Sequence, residues 1–366
     1  MDARLTIIKG HIMIKSFKVS FRTFLELFIP VIGLLIALII AGVIIIISGN
    51  NPFEVYGVIF KGAFGSVYGI TSVFRWMTPL LFLSVAASFA LKAGLWNLGL
   101  EGQLYLGAIF GTWIGFSLGG PPGVVVKILA MLLAAGMGAL WALIPALLRA
   151  YFKTNEFIVT LLLNFVAIHL THFLTLNVWQ DRSTGGEALS TPPIFESAQL
   201  SKILPGYTWH MGFLIGIIFV VLYWAIMKWT TFGYELKVHG HNPNFLKYGG
   251  VSVKKIIILS MCLSGAVAGM TGTIEIFGIY RSFWTGMFAG GVAWDGLVVA
   301  LLGLFKPFGI LIAAFFFGFL KVGILNMERV TEISRSVVTI IQAIIIFFIA
   351  VQGLAIRKRI IEKRED

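Results

Sequence analysis

Charge is the scarcest ingredient of this chain. Asp, Glu, Lys and Arg make up 12% of its 366 residues, where a water-soluble domain carries roughly 25%. The mean hydropathy is +0.94, and the longest polar interval runs only from Val178 to His210. No stretch is left from which a folded aqueous domain could be built, so the chain is a polytopic membrane protein. Cysteine occurs once, as Cys262 in an apolar run, which excludes an intrachain disulfide and a thiolate metal cluster. The patterns GxxxxGK[ST] and HExxH are both absent. With them go a Walker A phosphate loop and a zincin site. His169 and His172 share a helix face at a spacing of three. No further ligand accompanies them, so no metal site is read from them.

Acids are also short relative to bases, 16 against 28, for a net charge of +12. The excess is placed by topology. Arg4, Lys9, Lys15, Lys18 and Arg22 precede the first apolar run, and Arg357, Lys358, Arg359, Lys363 and Arg364 follow the last. Positive charge collects on cytoplasmic segments, so both termini read as cytoplasmic. No basic stripe lies on a soluble module, which argues against nucleic acid as a partner.

About twenty apolar residues cross a bilayer core. On that ruler the crossings are 28–48, 74–91, 103–119, 124–148, 156–177, 211–229, 256–278, 292–305, 308–326 and 337–355. The expected fold is therefore an all-α integral membrane protein of about ten helices. It forms a single polytopic domain over 1–366, with a cytoplasmic segment 1–27, a bundle 28–355, a cytoplasmic loop 230–255 and a basic tail 356–366. The first run exceeds a signal-peptide core of about 7–15 residues and reads as a retained anchor. The half-apolar Asn50–Arg75 segment reads as an interfacial helix, and Val178–His210, with its glycines and prolines, as a loop. Lys127 and Lys321 are expected to snorkel toward headgroups. A weak echo links Trp96–Gly102 with Trp294–Gly296, each placing a Trp before an acid–glycine pair, as duplicated transporter halves do.

What the chain has in abundance is glycine, 41 residues. Gly107, Gly111 and Gly115 repeat at intervals of four, as do Gly265 and Gly269, extended by Gly272. Such stripes let helix backbones approach closely. Among them sit the rare polar groups. Glu101, Glu275 and Asp295 are the acids placed deepest. An intramembrane carboxylate normally faces a bundle interior or a water-filled path, so three roles stand open: contact with a solute, proton relay, or pairing with Lys92, Arg281 or an amide. Asn97 and Asn164 need hydrogen-bond partners, from a neighbouring helix or a solute. Trp96, Trp284 and Trp294 suit either stacking on a flat solute or the membrane interface. Between two apolar runs, Asn242-Pro243 is fit to start a short helix and Gly249-Gly250 to end it.

Taken together, Trp96-Asn97-Leu-Gly99-Leu-Glu101-Gly102-Gln103, Thr154-Asn155-Glu156 with Thr160 and Asn164, Gly240-His-Asn242-Pro243 with Tyr248-Gly249, Ser264 through Gly269 to Gly272, and Gly303-Leu-Phe-Lys306-Pro307 resemble the permease subunits of ABC importers for branched-chain amino acids, ribose and other simple sugars. The nucleoside branch, served by a basic-membrane-protein-type lipoprotein, is the most similar. Relatives often carry phenylalanine where Trp96 stands.

The resemblance implies the solute pathway of an ATP-driven importer in a bacterial plasma membrane, for nucleosides or a related sugar, with Trp96, Asn97, Glu101, Asn164, Glu275, Trp284 and Asp295 along the path. It implies a double-cassette ATPase carrying ATP and Mg, with no cofactor and no catalytic residue in this chain. That ATPase would dock on Tyr234, Glu235, Gly240, Asn242, Pro243, Lys247, Tyr248 and Gly249. A second, different permease subunit, an extracytoplasmic binding lipoprotein and membrane lipid complete the expected partners. The rival is a stand-alone secondary transporter that moves protons through Glu101, Glu275 or Asp295.

Overall fold

The computed structural model describes residues 36, 38–183, 188–330, 340, 343, 344 and 347. They form twelve helices: α1 (Leu38–Ile47), α2 (Pro52–Phe64), α3 (Val67–Lys92), α4 (Leu100–Ser117), α5 (Gly123–Phe152), α6 (Glu156–Phe173), α7 (Gly212–Trp229), α8 (Thr231–His241), α9 (Pro243–Tyr248), α10 (Val253–Glu275), α11 (Val292–Leu302) and α12 (Pro307–Val330). Single π-helical turns extend α6 to Val178 and α10 to Tyr280. Among the described residues there is no strand, only isolated bridges such as Ser190–Trp284.

Six helices are long and apolar enough to cross a membrane: α3, α5, α6, α7, α10 and α12. The α1–α2 pair, bent by 117°, is a seventh if it counts as one broken span. The run 103–119 corresponds to α4, whose glycines and polar residues lower its hydropathy, and 292–305 to α11, only 11 residues long. The run 337–355 lies outside the described residues apart from four isolated positions.

The described residues fall into two compact units, one from Phe60 to Gly323 and the other comprising those before and after it. In the second unit the Tyr56 hydroxyl donates to the Leu38 carbonyl, and Asn326 Nδ2 donates to Val58 O at 3.1 Å.

The Phe60–Gly323 unit is organised around α3. In its most apolar window 89% of the residues are buried, against 22% for α5, which is the more apolar helix. In a bilayer the greasiest surface belongs outside, and polar groups turn inward. Thr78, Ser84 and Ser88 on α3 satisfy their hydroxyls on carbonyls of the preceding turn, so they can be buried without foreign partners. Sequence reading placed Asn50–Arg75 at the interface; the structure corrects this. α2 stops at Phe64, and Ser66 caps a new helix by accepting from Gly69 N at 3.0 Å. Arg75 thus lies two turns into α3 and is buried.

The glycine stripes mark where α10 passes between α4 and α5. A Cβ on Gly107 would lie 2.1 Å from Gly269 O, and one on Gly138 the same distance from Gly265 O. Thr273 Oγ1 donates to Gly107 O at 2.9 Å. Backbones this close leave room only for hydrogen, and dispersion between them holds the three helices.

Candidate functional site

The chemistry-bearing residues gather at two ends of the Phe60–Gly323 unit. At one end, Arg75 Nη2 reaches Glu275 Oε2 at 2.9 Å and the Tyr280 hydroxyl at 3.0 Å. Arg75 also lies over the Trp76 ring, 4.1 Å from its centroid. Arg75 and Glu275 are buried, and Arg75 Nη1 and Glu275 Oε1 have no protein partner. Beside them Lys321 Nζ meets Asp295 Oδ2 at 2.6 Å, and the same lysine lies over the Trp76 ring, 5.0 Å from its centroid. Lys321 therefore does not snorkel: it lies inside α12, and the carboxylate of α11 draws it inward. A cavity of about 60 Å³ opens here between Trp76, Glu275, Tyr280, Met287, Phe288, Gly290, Val292 and Lys321. Trp284 packs edge-on against Tyr280 at 5.0 Å.

His210 adds a titratable group at this end. Its Nδ1 accepts from Gly212 N at 3.2 Å, and a Cβ on Gly278 would sit 2.4 Å from its ring. Burial, then the charges of Lys202 and Arg75, push its pKa down to about 3. The imidazole is therefore neutral. Lys202 reaches the Gly278 carbonyl, and its pKa is lowered first by burial and then by Arg281 and Arg75.

The start of α4 holds the amides. Asn97 Nδ2 donates to Gln103 Oε1 at 3.0 Å and to Ser264 Oγ at 2.8 Å, while its Oδ1 accepts from Gly99 N at 3.0 Å. Asn164 of α6 clasps the same turn, accepting from Gly102 N and donating to Leu98 O, both at 2.8 Å. Both amides are thus spent on holding the α3–α4 connection. Trp96 is half-exposed against Phe157. Glu101 Oε2 accepts from Trp294 Nε1 at 3.2 Å, so the two echoing segments of the sequence touch.

At the opposite end stands the α8–α9 hairpin. Thr230 caps α8 by accepting from Gly233 N at 3.0 Å. Asn242 caps α9 by accepting from Asn244 N at 3.1 Å and Phe245 N at 3.2 Å, with Pro243 in the first turn and Gly249 at the end. The hairpin is pinned to the end of α3. His239 Nδ1 donates to Ala93 O at 2.6 Å, and a Cβ on Gly240 would lie 2.2 Å from Lys92 O. Leu236 and Leu246 are buried beneath it, while Tyr234, Phe245 and Tyr248 face outward, Tyr248 at 92% exposure. Glu235 and Lys247 lie on the same two helices. Three outward aromatics thus stand on capped, anchored helices.

Arg75, Tyr280 and Lys202 escaped the sequence reading as members of this site. Arg75 stands beside an aromatic-rich apolar run, and its helical register with that run was the available signal. No three His, Cys, Asp or Glu side chains group as metal ligands among the described residues.

Residues 69–350 match the family described as branched-chain amino acid transport system / permease component. The chain is 35% identical to the guanosine ABC transporter permease protein NupP of Bacillus subtilis, over 89% of this chain and 93% of that protein. It is 32% identical to the nucleoside ABC transporter permease protein NupB of Lactococcus lactis, over 89% and 91%. With the glucose ABC transporter permease protein TsgB13 of Haloferax volcanii it shares 34% identity over 90% and 89%. No solved structure matches.

Proposed function

The chain belongs to the branched-chain amino acid transport system permease family, and on that premise we propose that it forms the membrane pathway of an ATP-driven nucleoside importer. Identity with guanosine and nucleoside permeases along nearly the whole of both chains carries the reading. ATP and Mg belong to a separate double-cassette ATPase, which docks on the α8–α9 hairpin through Tyr234, Phe245 and Tyr248, while Gly240, Asn242, Pro243 and Gly249 set its shape. A second permease completes the channel, and an extracytoplasmic lipoprotein delivers solute. The lysine and arginine distribution supports cytoplasmic termini and a hairpin on the cytoplasmic side of a bacterial plasma membrane.

The arrangement explains how ATPase motion would reach the pathway. From Arg75, α3 continues to Lys92, whose carbonyl end packs against Gly240, so a rigid displacement of the hairpin moves the helix carrying the ion pair. The driving force is the difference in ATPase affinity between two permease states. Glu101, Trp284 and the cavity beside Glu275 offer acceptors and aromatic faces to a nucleoside. Asn97, Asn164 and Trp96 shape the turn behind them.

A sugar substrate is the second reading, since the glucose permease is similar to the same extent. Radiolabelled guanosine and glucose uptake into proteoliposomes holding the full assembly separates the two. In the same system, Asn242→Ala with Pro243→Gly is expected to leave ATP hydrolysis running while uptake falls at least about tenfold, the equivalent of about 1.4 kcal/mol of lost coupling. Unchanged uptake removes the docking assignment. Proton-driven uptake by this chain alone overturns the importer.

A further inference from the structure

A second cavity, of about 410 Å³, lies beside the hairpin and has no part in the pathway described above. Its walls include Leu95, Val253 and Ile257, and its mouth carries Arg149, Lys153 and Lys254. Glu156, not itself a lining residue, neutralises one of these cations, with Arg149 Nε at 3.2 Å. Lys254 is held over the Tyr151 ring, 4.2 Å from its centroid, on the outer end of α5. His239 at the cavity's back is neutral, because burial lowers its pKa. Two lysines therefore supply the net charge over an apolar pocket, with exposed Tyr151, Phe152 and Phe157 beside it.

Lys153 stands where glycine is usual. It caps α5 with φ 56°, in the left-handed region that costs a residue with a Cβ about 1 kcal/mol or more. Its turn also buries Thr154 Oγ1 without a partner.

We propose that this cavity binds the phosphate headgroup of an anionic phospholipid. Lys153 and Lys254 pair with the phosphate, and the first acyl carbons run over Leu95, Val253 and Ile257. Paired cations over apolar walls match an amphiphile with one anionic end, and basic pockets between membrane helices hold such headgroups. The lipid would bridge the ends of α5 and α10 beside the anchored hairpin. Gly240 and Pro243 of the hairpin also line the cavity, so the test uses the chain without its ATPase.

The test is native mass spectrometry of the purified full chain, exchanged into phosphatidylglycerol or phosphatidylcholine. The expected result is one retained phosphatidylglycerol, with selectivity falling about fivefold for each of Lys153→Gly and Lys254→Gln. Lys153→Gly relieves the left-handed strain, so its melting temperature should hold or rise while binding weakens, which separates a lost site from a lost fold. Selectivity that survives both changes overturns the proposal. So does inorganic phosphate giving the same melting shift as the lipid, which would make the ligand a free anion. Loss of ATPase docking in the variants with no lipid selectivity in the parent would also overturn it, assigning the lysines to a protein carboxylate.

Discussion

The two ends of α3 and α10 treat charge in opposite ways. At the Arg75 end, Arg75, Glu275, Lys321 and Asp295 are drawn into the packed helices and paired with one another. At the hairpin end, Lys153, Lys247, Lys254 and Lys255 remain exposed, and acids are sparse. The same two helices join these regions: α10 has 23 residues, about 35 Å at the helical rise of 1.5 Å per residue. Buried charge must be matched within the protein, because desolvation is costly. Exposed charge costs little and stays available to outside partners. The first end thus pairs most of its charge internally, and the second leaves its charge on the surface.

The contrast breaks most sharply at Arg75. Replacing Arg75 by Met strands the buried Glu275 carboxylate and is expected to cost about 3–5 kcal/mol in reversible unfolding. Adding Glu275→Met should recover most of that loss, because both charges are then gone and the space stays filled. A double variant no better than the single would mean that the pair fixes helix geometry rather than balancing charge. Lys321→Met comes second. Its ion pair with Asp295 is close, but both partners keep some exposure, 13% and 14%, so a loss smaller than at Arg75, about 1–3 kcal/mol, is expected. Asp295→Asn, which keeps a hydrogen-bond acceptor for the lysine, should lose less.

The hairpin end was the more legible in the sequence. Asn242-Pro243 and Gly249-Gly250 are local signals, and α9 begins and ends between them because capping needs only neighbours in the chain. Glycine stripes were legible for a similar reason: their period alone implies a close crossing. The ion pairs were not. Arg75 and Glu275 stand 200 residues apart, and nothing in periodicity connects them. For Glu101, Glu275 and Asp295 the sequence leaves solute contact, proton relay and pairing with Lys92, Arg281 or an amide all open, and Arg75 is not among those partners. Arg75 falls at the seam between the half-apolar segment and the run 74–91, and only the Ser66 cap shows that α3 already begins at Val67. Asn97 and Asn164 were recognised as buried amides in need of partners. Their division of labour, one clasping Gln103 and Ser264 and the other the Leu98–Gly102 backbone, depends on helix contacts that spacing cannot supply.

The smallest expected effect compares two buried histidines, one at each end. His210 is held neutral by burial and by Lys202 and Arg75. Burial likewise lowers His239, with Arg149 adding to the shift and the Ala93 carbonyl opposing it. Both pKa values lie below the ordinary 6.5, so the folded chain binds fewer protons than the unfolded one as pH falls. The stabilisation is complete above that value and is lost progressively below it, at most about 1.4 kcal/mol per histidine over the unit from pH 6.5 to 5.5. His210→Asn and His239→Gln should each flatten the fall of melting temperature across that interval. The His210 change should have the larger effect, because its cationic neighbours reinforce burial, whereas the carbonyl facing His239 partly accommodates a proton. Equal flattening by both would mean that burial alone sets these shifts, and that the clustered cations at the Arg75 end are screened from the imidazole.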